Sequence, residues 1–167
     1  MNANKTSHAE EPAAPPARGG SNSPHRILVV DDDISIRQLN TAVLSRSGYH
    51  VDAAEDGAVA WDTLQLNRYD LVVTDNHMPK MSGLELLKEL RAARLDLPVI
   101  MATGTLPMEE FARHTGIQPA AMLLKPYTIT ELLGAVAEVL RATESARERI
   151  QLPPREQSQP SADGLRL

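Results

Sequence analysis

Five times between Arg26 and Arg147 a short aliphatic run gives way to a helical pattern, and this alternation constrains the fold more than any other feature of the chain. "RILVV" and "DLVVTD" are short apolar runs rich in β-branched residues, as expected of strands buried on both faces, and "PVIMAT" and "AMLL" read as further short strands. "YHVDAA" alternates with period two, like a half-covered strand. Each run is followed by a helix signal. Ile36, Leu39 and Val43 form one stripe after "RILVV", with Asp33 placed to cap the start and Gly48 the end. "GAVAWDTLQL" turns Trp61 and Leu64 inward, and "SGLELLKELRAA" spaces Leu84, Leu87 and Leu90 three apart. "PMEEFARH" is a weaker helix with Pro107 suited to its first turn. The last helix opens on Thr128 and Glu131, spaced for a capping box, and continues through Leu132, Val136, Val139 and Leu140. Right-handed crossovers turn five strand–helix repeats into one parallel sheet covered on both faces, a three-layer, doubly wound (βα)5 α/β fold.

The ends of the chain lack such patterning. Residues 1–24 carry Pro12, Pro15, Pro16 and Pro24 among glycines and serines, and "QLPPREQSQPSADGLRL" closes the chain in the same style. Neither offers enough apolar surface to offset the entropy of ordering it. The expected organisation is a flexible tail over 1–24, one domain over 25–147 and a flexible tail over 148–167. The chain is 42% apolar but only 3% aromatic, so its core must be aliphatic. A net charge of −5 argues against a broad nucleic-acid surface. The absence of cysteine excludes thiol catalysis and disulfides. No apolar run approaches the ~18 residues of a membrane span, and the first residues lack the apolar segment of a secretory signal. A soluble, cytoplasmic protein is expected.

In open parallel sheets the reactive crevice lies beyond the carboxyl ends of the strands. Asp31 and Asp32 close the first strand, Asp75 the third, Thr103 the fourth and Lys125 the fifth. One edge thus gathers three carboxylates, a hydroxyl and an ammonium. Two like charges about 4 Å apart repel by roughly 4 kcal/mol at a protein surface, so crowded acids call for solvent or a cation. An oxygen-rich pocket suits Mg²⁺, which keeps several waters and binds through one or two carboxylates together with phosphate. Lys125 supplies a point charge and Thr103 a donor for two phosphoryl oxygens. An aspartate can itself be the nucleophile, forming an acyl phosphate. Taken singly, these residues have plainer readings: Asp33 is a helix cap, and Lys125 alone would be a surface lysine. Only the set of five is informative.

The runs "ILVVDDD", "DLVVTDNHMPKMSGLELL", "VIMATG" and "MLLKPYT" closely resemble the receiver domain of two-component response regulators over about residues 26–147. The resemblance implies a flavodoxin-like sheet of order 2-1-3-4-5. It implies that Asp75 accepts phosphate from a sensor histidine kinase or a histidine phosphotransfer protein. Asp32, Asp75 and the backbone carbonyl of His77 would hold Mg²⁺, with Asp31 acting through a water. Thr103 and Lys125 would contact the phosphoryl group, and the Lys125–Pro126 bond would be cis. Such a domain is not an enzyme in the ordinary sense, since it catalyses only its own phosphorylation and dephosphorylation. Its output would be a surface that changes with phosphorylation, around the helix at 107–114, the last strand and the last helix. That surface would regulate a partner protein without direct contact to nucleic acid or membrane.

The chain departs from the family at Met122, where receivers often carry Tyr or Phe three residues before the lysine. A flexible methionine there would make a softer switch. Tyr127, two residues after the lysine, holds a more usual aromatic position. His77 and Thr105, two beyond Asp75 and Thr103, stand where the resemblance places residues that tune acyl-phosphate lifetime. After Arg147 there is no helix-turn-helix pattern, so a stand-alone receiver is expected. Three other functions compete. A relay carrier or phosphate sink would use the same chemistry to pass phosphate between histidines. An aspartyl-phosphate hydrolase would use Asp31 and Asp33 but would leave Asp75 without a role. A scaffold that never carries phosphate would have no need of all five residues.

Overall fold

A computed structural model of the chain describes residues 24–105 and 116–151. The tail over 1–23, the helix expected at "PMEEFARH" and the remainder of the C-terminal tail lie outside the described residues, as does much of the expected output surface. The described elements are β1 (Arg26–Val30), α1 (Ile34–Arg46), β2 (His50–Ala54), α2 (Gly57–Leu66), β3 (Leu71–Asp75), α3 (Gly83–Ala92), β4 (Val99–Thr103), β5 (Ala121–Leu124) and α4 (Ile129–Gln151). The five strands form one parallel sheet in the order β2-β1-β3-β4-β5, as the resemblance implies.

Strand side chains alternate between two faces, and each face has its own core. Leu28, Val30, Val72, Val99 and Met101 pack with Ala60 and Leu64 of α2 and with Leu84, Leu86, Leu87 and Leu90 of α3. Ile27, Val29, Val73, Ile100 and Ala102 pack with Leu44 of α1 and with Leu132, Val136, Val139 and Leu140 of α4. β3 and β4 are buried along their whole length because helices cover them on both sides and strands flank them. The aliphatic runs are therefore the middle layer of three.

The caps set where the helices begin. Asp33 accepts from the backbone N–H of Ser35 and Ile36 at the start of α1, and Gly48, at φ +90°, follows the C-terminal residue Ser47. Ser82 and Glu85 form a reciprocal capping box on α3, and Thr128 and Glu131 form another on α4. One helix face differs from expectation. The inward residues of α1 are Asn40 and Leu44, while Leu39 is 53% exposed and Ile36 and Val43 are half-buried. The apolar stripe was the wrong guide here because Asn40 has a partner across the fold: its Nδ2 donates to the Tyr127 hydroxyl at 2.9 Å. α4 runs to Gln151, beyond the expected boundary at 147. Two of its charged residues reach the starts of β1 and β3. Glu144 Oε1 lies 3.2 Å from His25 Nε2, and Arg147 Nη1 lies 3.9 Å from Asp70 Oδ1. Among the described residues no helix is long and apolar enough to cross a membrane.

Candidate functional site

Register brings the strand-end residues to one edge. Val30 pairs with Thr74, so the residues that follow, Asp31 just past β1 and Asp75 at the end of β3, stand level at the sheet's carboxyl edge. Asp75 pairs with Ala102 and Thr103 with Leu124, which steps the edge outward to Lys125. The result is a cluster of Asp31, Asp32 and Asp75 whose carboxylate oxygens lie within 4.8 Å of one another. Asp31 and Asp75 are buried, whereas Asp32 opens to solvent. Lys125 Nζ reaches 3.2 Å from Asp75 Oδ1 and 3.4 Å from Asp31 Oδ2. The Lys125–Pro126 bond is cis.

Burial pushes the Asp31 carboxyl above the usual carboxylate range; the charge of Asp75 pushes the same way, and Lys125 and the Asp33 N–H only partly offset them. Burial also works against the Lys125 ammonium, but Asp31 and Asp75 outweigh it and raise its pKa above that of an ordinary lysine. The lysine is thus held charged, yet it does not fully compensate the acids. A hard divalent cation would supply the missing positive charge to an all-oxygen donor set, which is the chemistry Mg²⁺ prefers. The three carboxylates and their crowding fit such an ion.

Thr103 is fully buried, and its hydroxyl donates to the carbonyl of Thr105 at 2.7 Å. It is therefore turned toward its own loop. The side chains of His77 and Thr105 are both exposed, and that of Met122 is half-buried against the core shared with α2 and α3. Asp33 contributes its carboxylate to the cap of α1, and its own N–H is taken by Asp31 Oδ1 at 2.9 Å. That assignment removes one of the two acids a hydrolase of the aspartyl-phosphate kind would use.

Two further residues support the site. Arg37 Nη1 donates to the backbone carbonyls of Asp31 at 2.6 Å and Asp32 at 3.4 Å, fixing the acidic turn from the first turn of α1. Its spacing of four after Asp33, at a helix end where a cation is otherwise unfavourable, was the available signal. Gly83 is the other. A Cβ there would lie 2.3 Å from the Asp75 carbonyl oxygen, so only glycine lets α3 start against the back of Asp75.

The family model described as the response regulator receiver domain matches residues 27–137. The chain belongs to the response regulator receiver family. Among curated relatives, response regulator MprA of Mycobacterium sp. (strain KMS) is 41% identical over 122 residues, covering 72% of this chain and 52% of that protein. This receiver thus spans about half the length of the curated relatives it matches. Among solved structures, the receiver domain of Francisella response regulator 1452 is 31% identical, with a TM-score of 0.66 over 71% of this chain and 98% of that one. The chemotaxis response regulator CheY4 of Vibrio cholerae is 32% identical, with a TM-score of 0.64 over 70% and 99%. TrrA of Thermotoga maritima, solved in complex with Mg(2+)-BeF, is 33% identical, with a TM-score of 0.60 over 69% and 98%. The receiver is a signalling module of two-component systems.

Proposed function

We propose that this receiver takes a phosphoryl group onto Asp75 from a phosphohistidine, carried by a sensor histidine kinase or a histidine phosphotransfer protein. The modified form would regulate a partner protein. The single observation that carries this reading is the convergence of Asp31, Asp32 and Asp75 within 4.8 Å, with the Lys125 ammonium 3.2 Å from Asp75. An oxygen of Asp75 attacks phosphorus; the new P–O bond forms as the P–N bond breaks, and the departing imidazole nitrogen keeps that electron pair. Asp32, Asp75 and the His77 carbonyl would hold Mg²⁺, with Asp31 acting through a water. The bound ion supplies charge neutralisation to the phosphoryl oxygens, which is most of what phosphoryl transfer requires. Lys125 lies where it can stabilise one phosphoryl oxygen while remaining paired to the acids. TrrA in complex with Mg(2+)-BeF supports the reading, since beryllium fluoride is a phosphoryl analogue.

Thr103 gives the modification a route outward. Its hydroxyl must leave the Thr105 carbonyl before it can donate to a phosphoryl oxygen, and that carbonyl then loses its partner in Thr103. A partner that prefers this second arrangement shifts the population by its differential affinity alone. The test is incubation with a small phosphodonor, with Mg²⁺ or with EDTA, followed by intact-mass measurement. The native chain should gain one phosphoryl group only with Mg²⁺, and Asp75→Asn should gain none. Equal gain by the variant, or gain in EDTA, would refute the proposal.

A further inference from the structure

The loop between β3 and α3, residues 76–82, carries the His77 carbonyl and leads from Asp75 to α3. Its two ends are clasped: the Gly83 N–H donates to the Asn76 carbonyl at 3.2 Å, and the Leu84 N–H to Asn76 Oδ1 at 3.1 Å. The crown of the loop is held from a different element. Lys80, in the left-handed region at φ +66°, sends its ammonium 2.6 Å from Asp56 Oδ2. Lys80 is largely exposed, but Asp56 is 2% exposed and already caps α2 by accepting from the Val59 N–H at 2.9 Å through its other oxygen. Beside this pair the two backbones touch. A Cβ on Gly57 would lie 2.5 Å from the Met81 carbonyl oxygen, so the first residue of α2 must be glycine for the loop to seat there. Met78 and Met81 pack into the same core as Trp61 of α2. Lys80 binds Asp56 closely enough to hold that carboxyl below the usual range, so the pair stays charged at neutral pH.

We infer that Lys80 and Asp56 are a positioning pair for the metal site: the N-terminus of α2 fastens the loop that presents the His77 carbonyl beside Asp75. Neither residue touches the reacting atoms. This inference rests on the proposed Mg²⁺ site and extends it, since it makes α2 part of that site's support. A surface ion pair kept only for stability would not couple to metal binding. Simple electrostatics would give the opposite sign, because removing a lysine near an acidic cluster should tighten a cation.

The test is calorimetric titration of Mg²⁺ alone into the full chain, without phosphodonor. Lys80→Met should raise the Mg²⁺ Kd about tenfold, the lower end of what loss of a supporting partner costs a metal site. Asp56→Asn keeps a capping oxygen for Val59 and should weaken binding to the same extent. The double variant should be no worse than either single one, and Lys80→Arg should restore affinity. Unchanged or tighter binding by Lys80→Met overturns the positioning role while leaving the Mg²⁺ site intact. A native chain that binds no Mg²⁺ overturns both, and Asp75→Asn marks that baseline.

Discussion

Asp31 shows most plainly how the site trades stability for chemistry. Its carboxyl is buried and its pKa is raised from the ordinary value of 3.8, so the folded chain holds this proton more tightly than the unfolded chain does. The stability it contributes is complete below the unfolded pKa and is lost as pH rises through the folded one; at neutral pH the ionised group is a net cost. Asp31→Asn removes that cost and keeps an oxygen for the Asp33 N–H, while Lys125 retains Asp75 as a partner. In EDTA at pH 7 this variant should melt a few degrees above the native chain. The gap should close on acidification, as the native Asp31 takes up its proton. A melting scan at several pH values checks this; a variant less stable at pH 7, or a gap that widens in acid, would contradict it. Thr103 and Arg37 act at the same scale, one by the bond it must surrender and the other by pinning two carbonyls of the acidic turn.

At the scale of elements, the site is built by how α1 and α3 begin. α3 can start beside Asp75 only because residue 83 lacks a Cβ. Gly83→Ala forces a contact at 2.3 Å with a backbone oxygen that cannot swing aside, and overpacking of this kind costs about 1–3 kcal/mol. The variant should show a lower melting temperature and slower phosphorylation, because relief of the clash moves Asp75. Native-like values for both would show that α3 can shift without disturbing the site. The elements themselves were legible in the sequence wherever one periodicity had one cause. The Leu84, Leu87 and Leu90 stripe, the Thr128–Glu131 box and the aliphatic strands all read directly, because burial alone or capping alone fixes them. α1 did not read so simply. Its inward face holds Asn40, satisfied by Tyr127 at 87 residues' distance, and local pattern carries no trace of a partner so remote. The Lys80–Asp56 pair was missed for the same reason: its members are 24 residues apart, and Lys80 lies within a loop. The strand-end residues were legible together because topology, rather than side-chain pairing, brings them to one edge.

Over the whole molecule, two aliphatic cores on opposite faces of one sheet leave the chemistry to its carboxyl edge. The opposite edge is tied by His25, Asp70, Glu144 and Arg147, which anchor the long final helix to the start of β1 and β3. A sheet packed between two cores suits a module whose site is assembled from four strand ends, since close packing on both faces fixes the register that brings those ends together. On the proposed function, Asp75 is the one clustered acid that carries phosphate. Borohydride reduction of the phosphorylated chain tests it most directly, because an acyl phosphate is reduced to the alcohol and its aspartate becomes homoserine. Peptide mass mapping should find homoserine at position 75 and aspartate at positions 31, 32 and 33. Homoserine at 31, or at none of these positions in a chain that has gained a phosphoryl group, would show that Asp75 is not the acceptor.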